Sequence, residues 1–316
     1  MKTTLNVIFT LILLSSTIFG LSSKELAITI DLSGKQRMLT QEMVKEAFLI
    51  KSNIDKKANI EKLTQSSKLF DKTLKGLING DKELKLVAIK DKKIQKQLKK
   101  ISTIWNDFYL NIKDILNKKN NEKQYYNITS KSQELLKEVN YAVELYAMQD
   151  KKSNFLLAND MNFAGKQRML LQKMAKSILL VNNNIDIEKN KKEFIESQKL
   201  FTKILNGLSN GDKELKIKGT NLPTITKQLE VIKKSWNSNQ TELQTALTTK
   251  NTKKVINDLD KLVDKSDKLV KLYTASLNRK KQRDEFASLI KIHTTLEKMD
   301  NKTKLLLKEL AKAETN

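Results

Sequence analysis

The chain has 316 residues, 39% of them hydrophobic, with one Pro, eight Gly, no Cys and a formal charge of +24 at pH 7. That is enough apolar chain to bury two sizeable cores, and the scarcity of Pro, Gly and aromatics favours helices over a β-sandwich. The missing Cys excludes disulfides, thiolate metal sites and a lipid-modified amino-terminal Cys, and leaves the redox compartment open. The positive charge attracts polyanions and anionic membrane surfaces at low salt. However, the Lys are spread along the chain without interleaved aromatics, which predicts solvated helix faces and no specific nucleic-acid binding.

Residues 1–22 read as a signal peptide: Lys2 supplies a minimal positive start, Val7 to Phe19 an apolar core, and Gly20-Leu21-Ser22 a small-x-small cleavage pattern. The expectation is a periplasmic or secreted protein. The alternative is an inner-membrane anchor formed by residues 5–22 and facing the same compartment. No later stretch approaches 18 apolar residues.

A first helix is expected over 25–53, with Leu32, Leu39, Met43, Ala47 and Ile50 in one stripe. Arg37 points away from that stripe, onto a second seam with Ile30, Val44 and Phe48, bordered by Ser33 and Gln41. A helix with two apolar faces needs two neighbours. The first stripe is expected to face its own bundle, and the second most simply a partner chain. A second helix runs through Leu63, Phe70, Leu74 and Leu77 and stops at Asn79-Gly80, with Asp81 and Glu83 suited to the start of the next segment. A third spans about 92–116.

The sequence then repeats. Gly34-Lys35-Gln36-Arg37-Met38-Leu39 recurs as Gly165-Lys166-Gln167-Arg168-Met169-Leu170, and the same offset pairs Phe70 with Phe201 and Trp105 with Trp236. From Gly34 to Asn106, 36 of 73 positions are identical to their partners, so the chain is two copies of one module. Only four of the 60 basic residues are Arg, and two of them occupy this same place in both copies. Guanidinium is a planar fork that grips a flat oxyanion bidentately, whereas Lys offers a point charge. No Pro or Gly falls between Glu122 and Gly165, which predicts one helix over about 122–182, roughly 90 Å at 1.5 Å per residue. The expected fold is therefore all-α: two tandem four-helix bundles stacked end to end on a shared long central helix. A break between 147 and 160 would instead set the repeats side by side and bring Arg37 and Arg168 together as an internal pseudo-dimer. In repeat 2 the seam is Met161, Arg168, Ala175 and Leu179, and helices follow at 188–209, 224–249 and from about Asn251. Residues 278–316 continue as an amphipathic helix through Phe286, Leu289, Leu296, Met299 and Leu306. Lys281-Gln282-Arg283 echoes the motif without its Gly or Met and is taken as chance.

The stretches 32–41 (Leu-Ser-Gly-Lys-Gln-Arg-Met-Leu-Thr-Gln) and 163–172 (Phe-Ala-Gly-Lys-Gln-Arg-Met-Leu-Leu-Gln) resemble the opening helix of the type IV pili chemotaxis transducer (PilJ-type) sensory module. That module is similar to the periplasmic sensor domain of nitrate/nitrite sensor kinases. The resemblance covers residues 24–277 and divides the chain into a signal peptide (1–22), repeat 1 (24–150), repeat 2 (151–277) and a carboxy-terminal helix (278–316). It implies a helical periplasmic bundle that senses small ligands. In the kinase relatives the Arg before Met lies at a dimer interface and binds nitrate, a role that carries over to Arg37 and Arg168.

The expected ligand site is Arg37 and Arg168 with Gln41, Gln172, Ser33, Gly34 and Gly165, taking a small nitrate- or nitrite-like anion. The expected partner is a second copy of the chain, or a separate membrane chemoreceptor or sensor kinase. A structural or adaptor role, binding a partner protein or an anionic surface with both Arg consumed by intrachain ion pairs, is the alternative. No enzymatic chemistry, cofactor or metal is expected. His293 stands alone, no phosphate loop or nucleotide motif occurs, and Trp105 and Trp236 lie on the apolar stripe of the third helix, where they read as core.

Overall fold

The computed structural model describes residues 21–118, 121–149, 155–248 and 252–313, and the signal-peptide reading falls almost wholly outside them. Among the described residues there are nine helices: α1 Ser23–Lys51, α2 Lys56–Asn79, α3 Lys92–Leu116, α4 Glu122–Ala147, α5 Phe155–Asn182, α6 Ile187–Asn210, α7 Pro223–Ser238, α8 Gln240–Thr245 and α9 Thr252–Ala313. No strand occurs among these residues, only two isolated bridges. The all-α expectation holds, and none of these helices is long and apolar enough to cross a membrane.

Helix ends follow local chemistry. Ser22 and Glu25 form a reciprocal capping box at the start of α1, Asp91 accepts from the Lys93 and Ile94 N–H groups at the start of α3, and Asn121 caps α4. α2 and α6 stop where Gly80 (φ 86°) and Gly211 (φ 91°) enter the left-handed region. The acids that follow belong to a turn that precedes the next helix. Asp81 accepts from Leu84 N at 2.9 Å and pairs with Leu86 in a tight bridge, and Asp212 does the same with Leu215 and Ile217.

The two repeats share one internal plan. Gln36 Nε2 donates to the Phe70 carbonyl at 3.2 Å, and Gln167 Nε2 to that of Phe201 at 3.2 Å. Trp105 lies over Phe70 with ring centroids 4.2 Å apart, and Trp236 over Phe201 at 4.3 Å. Both Trp are core residues, as their place on the stripe requires.

End-to-end stacking is corrected. α4 ends at Ala147 in a turn closed by Met148 N to the Glu144 carbonyl (3.0 Å), and α5 begins at Phe155 against α1 instead of extending α4. The absence of Pro and Gly made a long helix permissible, but burial decided against it. End to end, the second seam of each first helix would face water. Side by side, Ile30, Val44 and Phe48 of α1 are buried together with Met161, Ala175 and Leu179 of α5, all at 2% exposure or less. Apart from Ala175, each such side chain is worth about 1.5–3 kcal/mol on full burial. The neighbour of the seam is thus the second repeat of the same chain, where a partner chain was expected. α4 and α9 flank the α1–α5 pair, and these four helices form an inner bundle; α2–α3 and α6–α7 pack outside it. The expected third helix of repeat 2 is also broken, at Asn239, into α7 and α8.

α9 runs for 62 residues, roughly 90 Å at 1.5 Å per residue. Its distal part leaves the bundle, where Leu289, Ile292, Leu296, Met299 and Leu306 are each more than half exposed.

α1 also buries charge. Glu46 is 1% exposed and accepts a 2.5 Å hydrogen bond from Ser66 Oγ. Burial, reinforced by Glu42 one turn earlier, pushes its pKa up from 4.5 to about 8. Between those values the native state holds a proton that the unfolded chain has released, so this residue's contribution falls as pH rises from 4.5 to 8. Glu46→Gln should therefore match wild type near pH 4.5 and exceed it in melting temperature at pH 8. Melts in which the two proteins keep a constant separation across that window would refute the buried-proton account. The α1–α5 packing makes a second prediction: residues 21–149 expressed alone should pair through their exposed seam. Light scattering should give a dimer mass, and a well-folded monomer would show that the seam does not drive association.

Candidate functional site

The crossing of α1 and α5 brings together four of the seven expected site residues: Gly34, Arg37, Gly165 and Arg168. A Cβ placed on Gly34 would lie 3.3 Å from Arg37 Nη2 and 3.8 Å from Arg168 Nη2; on Gly165 the same atoms lie at 3.3 and 3.6 Å. The two glycines therefore supply the space in which two guanidinium groups meet, and a Cβ at either would press on Arg37 and touch Arg168. Arg37 is 2% exposed and Arg168 1%.

Two unit charges about 5 Å apart repel by about 3 kcal/mol at an effective dielectric of 20, so the crossing needs compensation. The two Arg are compensated differently. Arg168 Nη1 reaches Asp267 Oδ1 at 2.5 Å and its Nη2 reaches Asp31 Oδ1 at 2.9 Å. Arg37 Nη1 donates to Asn162 Oδ1 at 2.8 Å and Asn140 Oδ1 at 3.4 Å, and its Nη2 to the Asn162 carbonyl at 3.1 Å. No ion pair to Arg37 occurs among the described residues, and the Nε of each Arg has no hydrogen-bond partner. Burial first, then Arg168, push the pKa of Arg37 down to about 9, opposed by Glu144. Lys166 is held below its usual range by burial and by Arg37. Arg37 still carries its charge at neutral pH.

The duplication explains this asymmetry position by position. Asn162 stands in repeat 2 where repeat 1 has Asp31, and Leu136 stands in repeat 1 where repeat 2 has Asp267. The carboxylates that neutralise Arg168 are thus an amide and a hydrocarbon around Arg37.

The other three expected residues do not join the pair. Ser33 Oγ donates to the carbonyl of Ile30 in its own helix, at 3.3 Å. Gln41 and Gln172 line two separate grooves. Gln41 Nε2 donates to Thr40 Oγ1 at 3.0 Å and Gln172 Nε2 to Asp260 Oδ1 at 3.2 Å, leaving the Oε1 of each buried without a partner. Asn140, Asn162, Asp31 and Asp267 were missed. Asn162 and Asp31 could have been found by comparing the two copies just upstream of the motif. Asn140 and Asp267 come from the fourth helices, where identity between the repeats has faded. Among the described residues no group of His, Asp and Glu is placed to hold a metal ion.

The model of the family described as type IV pili methyl-accepting chemotaxis transducer N-terminal (PilJ) matches residues 21–130 and again residues 157–262. A search of curated proteins returns no match. Both matched stretches contain a motif-bearing first helix, and together they take up well over half of the sequence. The chain belongs to the PilJ family of chemotaxis transducer N-terminal domains, as two tandem copies.

Proposed function

We propose that this protein is an exported sensory subunit that binds a small planar anion, of nitrate or nitrite type, at Arg37 and passes its state to a separate membrane receptor. The observation that carries this reading is a buried guanidinium whose nearest partners are two neutral amides, beside a second Arg already neutralised by two carboxylates. A planar anion would accept hydrogen bonds from the Arg37 fork and displace the Asn140 contact, the longer of its two side-chain bonds. It would also screen Arg37 from Arg168, favouring closer α1–α5 packing, which is how a small ligand biases a two-state bundle. Arg168 keeps a structural role, so one site per chain replaces one site per module.

Thermal melts of the mature protein with nitrate, nitrite or chloride test this, because a ligand that binds only the folded state raises its melting temperature; 100-fold excess over Kd adds about 2.7 kcal/mol. Wild type should respond to nitrate or nitrite above chloride. Arg37→Lys should lose most of that response despite keeping the charge, and Arg37→Ala all of it. Equal responses in the three proteins would remove Arg37 as the ligand site.

The adaptor reading has an observation of its own in the distal part of α9. Leu289, Ile292, Leu296, Met299 and Leu306 follow at steps of three, four, three and seven on an exposed surface, the register of a two-stranded coiled coil. The seam is narrow and self-complementary, which fits a second copy of this chain better than a membrane surface, where a broad apolar face is needed. Light scattering should give a dimer for wild type and a monomer for Leu296→Asp with the bundle's melting unchanged. A monomeric wild type at about 0.1 mM, or one that associates only with anionic vesicles, would reject this pairing.

A further inference from the structure

The grooves on either side of the α1–α5 pair share duplicated positions, yet they differ in charge. One, with a volume of about 670 Å³, lies between α4 and α5 with Gln41 of α1 at its floor. The other, about 380 Å³, lies between α1 and α9 with Gln172 of α5 in the matching place. Lys173 in the first corresponds to Glu42 in the second, and the Glu193 that faces Lys173 corresponds to Lys62. The second groove is thereby richer in carboxyl groups, with Glu42, Asp260, Asp264 and the protonated Glu46 along it beside Lys35 and Lys62. The first holds Glu144 and a Lys100–Glu138 pair, and sets two further lysines on one carboxylate: Lys173 and Lys176 approach Glu193 Oε2 at 3.7 and 3.4 Å. Glu193 is further committed to Gln133, which donates to its other oxygen at 2.7 Å.

We propose that the α4–α5 groove is a second ligand site, separate from the Arg crossing, for a small organic dianion of the dicarboxylate class. Three observations converge on it. Lys176 is 1% exposed, and its only ion pair among the described residues is the long, shared contact to Glu193, so one positive charge there lacks a counterion of its own. Lys137 also borders the groove, without an ion pair among the described residues, and gives a second carboxylate somewhere to bind. Gln41 is wholly buried beneath them with an unpartnered amide oxygen, a polar group that a bound molecule or its water would satisfy. Burial holds the Lys176 ammonium well below its usual range, and an anion beside it would restore that charge. The acidic twin acts as an internal control: Lys45, the counterpart of Lys176, is already paired with Asp260 at 2.8 Å, so that groove should reject the same ligand.

Succinate, acetate and inorganic phosphate are the probes, read by titration calorimetry on the full mature chain. Succinate should bind wild type, acetate at least tenfold more weakly, and phosphate no better than acetate. Lys176→Met keeps the buried volume and should cut succinate affinity at least tenfold. Lys173→Glu, which installs the acidic twin's residue, should abolish it, and circular dichroism shows whether each variant is folded. Arg37→Lys should leave succinate binding intact, so loss of nitrate response and loss of succinate response separate the two sites. No succinate binding to wild type at about 10 mM would overturn the proposal. So would unchanged affinity in both Lys variants when folded, equal binding of phosphate, or loss of succinate binding in Arg37→Lys.

Discussion

The whole arrangement depends on two like charges buried against each other where α1 crosses α5. A buried guanidinium pair is tolerated only with good hydrogen bonding and nearby opposite charge. Helix α9 and the first turns of α1 provide this for Arg168 through Asp267 and Asp31. For Arg37, α4 and α5 provide amides. The apolar seam above and below the crossing, from Ile30 to Phe48 and from Met161 to Leu179, supplies the burial that holds the two charges there. Because Gly34 and Gly165 carry no side chain, the helices can bring both forks into one layer.

Much of this was legible in the sequence, for identifiable reasons. The constant offset between copies, the stops at Gly80 and Gly211 and the stripe spacing located most of the helices to within a few residues. Two apolar faces on the first helix implied a second neighbour, but not whether it lay in this chain or another. The shared central helix failed because the sequence around Met148 and Gln149 has no helix breaker, and the turn there is imposed by the burial available to α5 once it folds back. Asp267 and Asn140 were beyond reach because they are meaningful only once the fourth helices are placed beside the first.

The duplication has also let two halves diverge where a symmetric pair could not. In a homodimer, replacing Asp31 would remove a carboxylate from both Arg at once. Here Asn162 removes it from one alone, and one Arg stays anchored while the other keeps its charge in reserve. The inversion of Lys173 against Glu42 and of Glu193 against Lys62 follows the same logic on the outer surfaces of the pair. Symmetry in the backbone frames asymmetry in the side chains.

Joining both motif helices in one polypeptide changes how the assembly behaves on dilution. Two separate modules would meet at a rate set by their amount in the compartment, and a sparse population would lie mostly unpaired. A covalent link replaces that with an effective local concentration in the millimolar range, independent of copy number. The crossing of α1 and α5 is therefore assembled in every molecule, and the occupancy of a ligand site proposed there would follow the amount of ligand and not the amount of protein the cell has made.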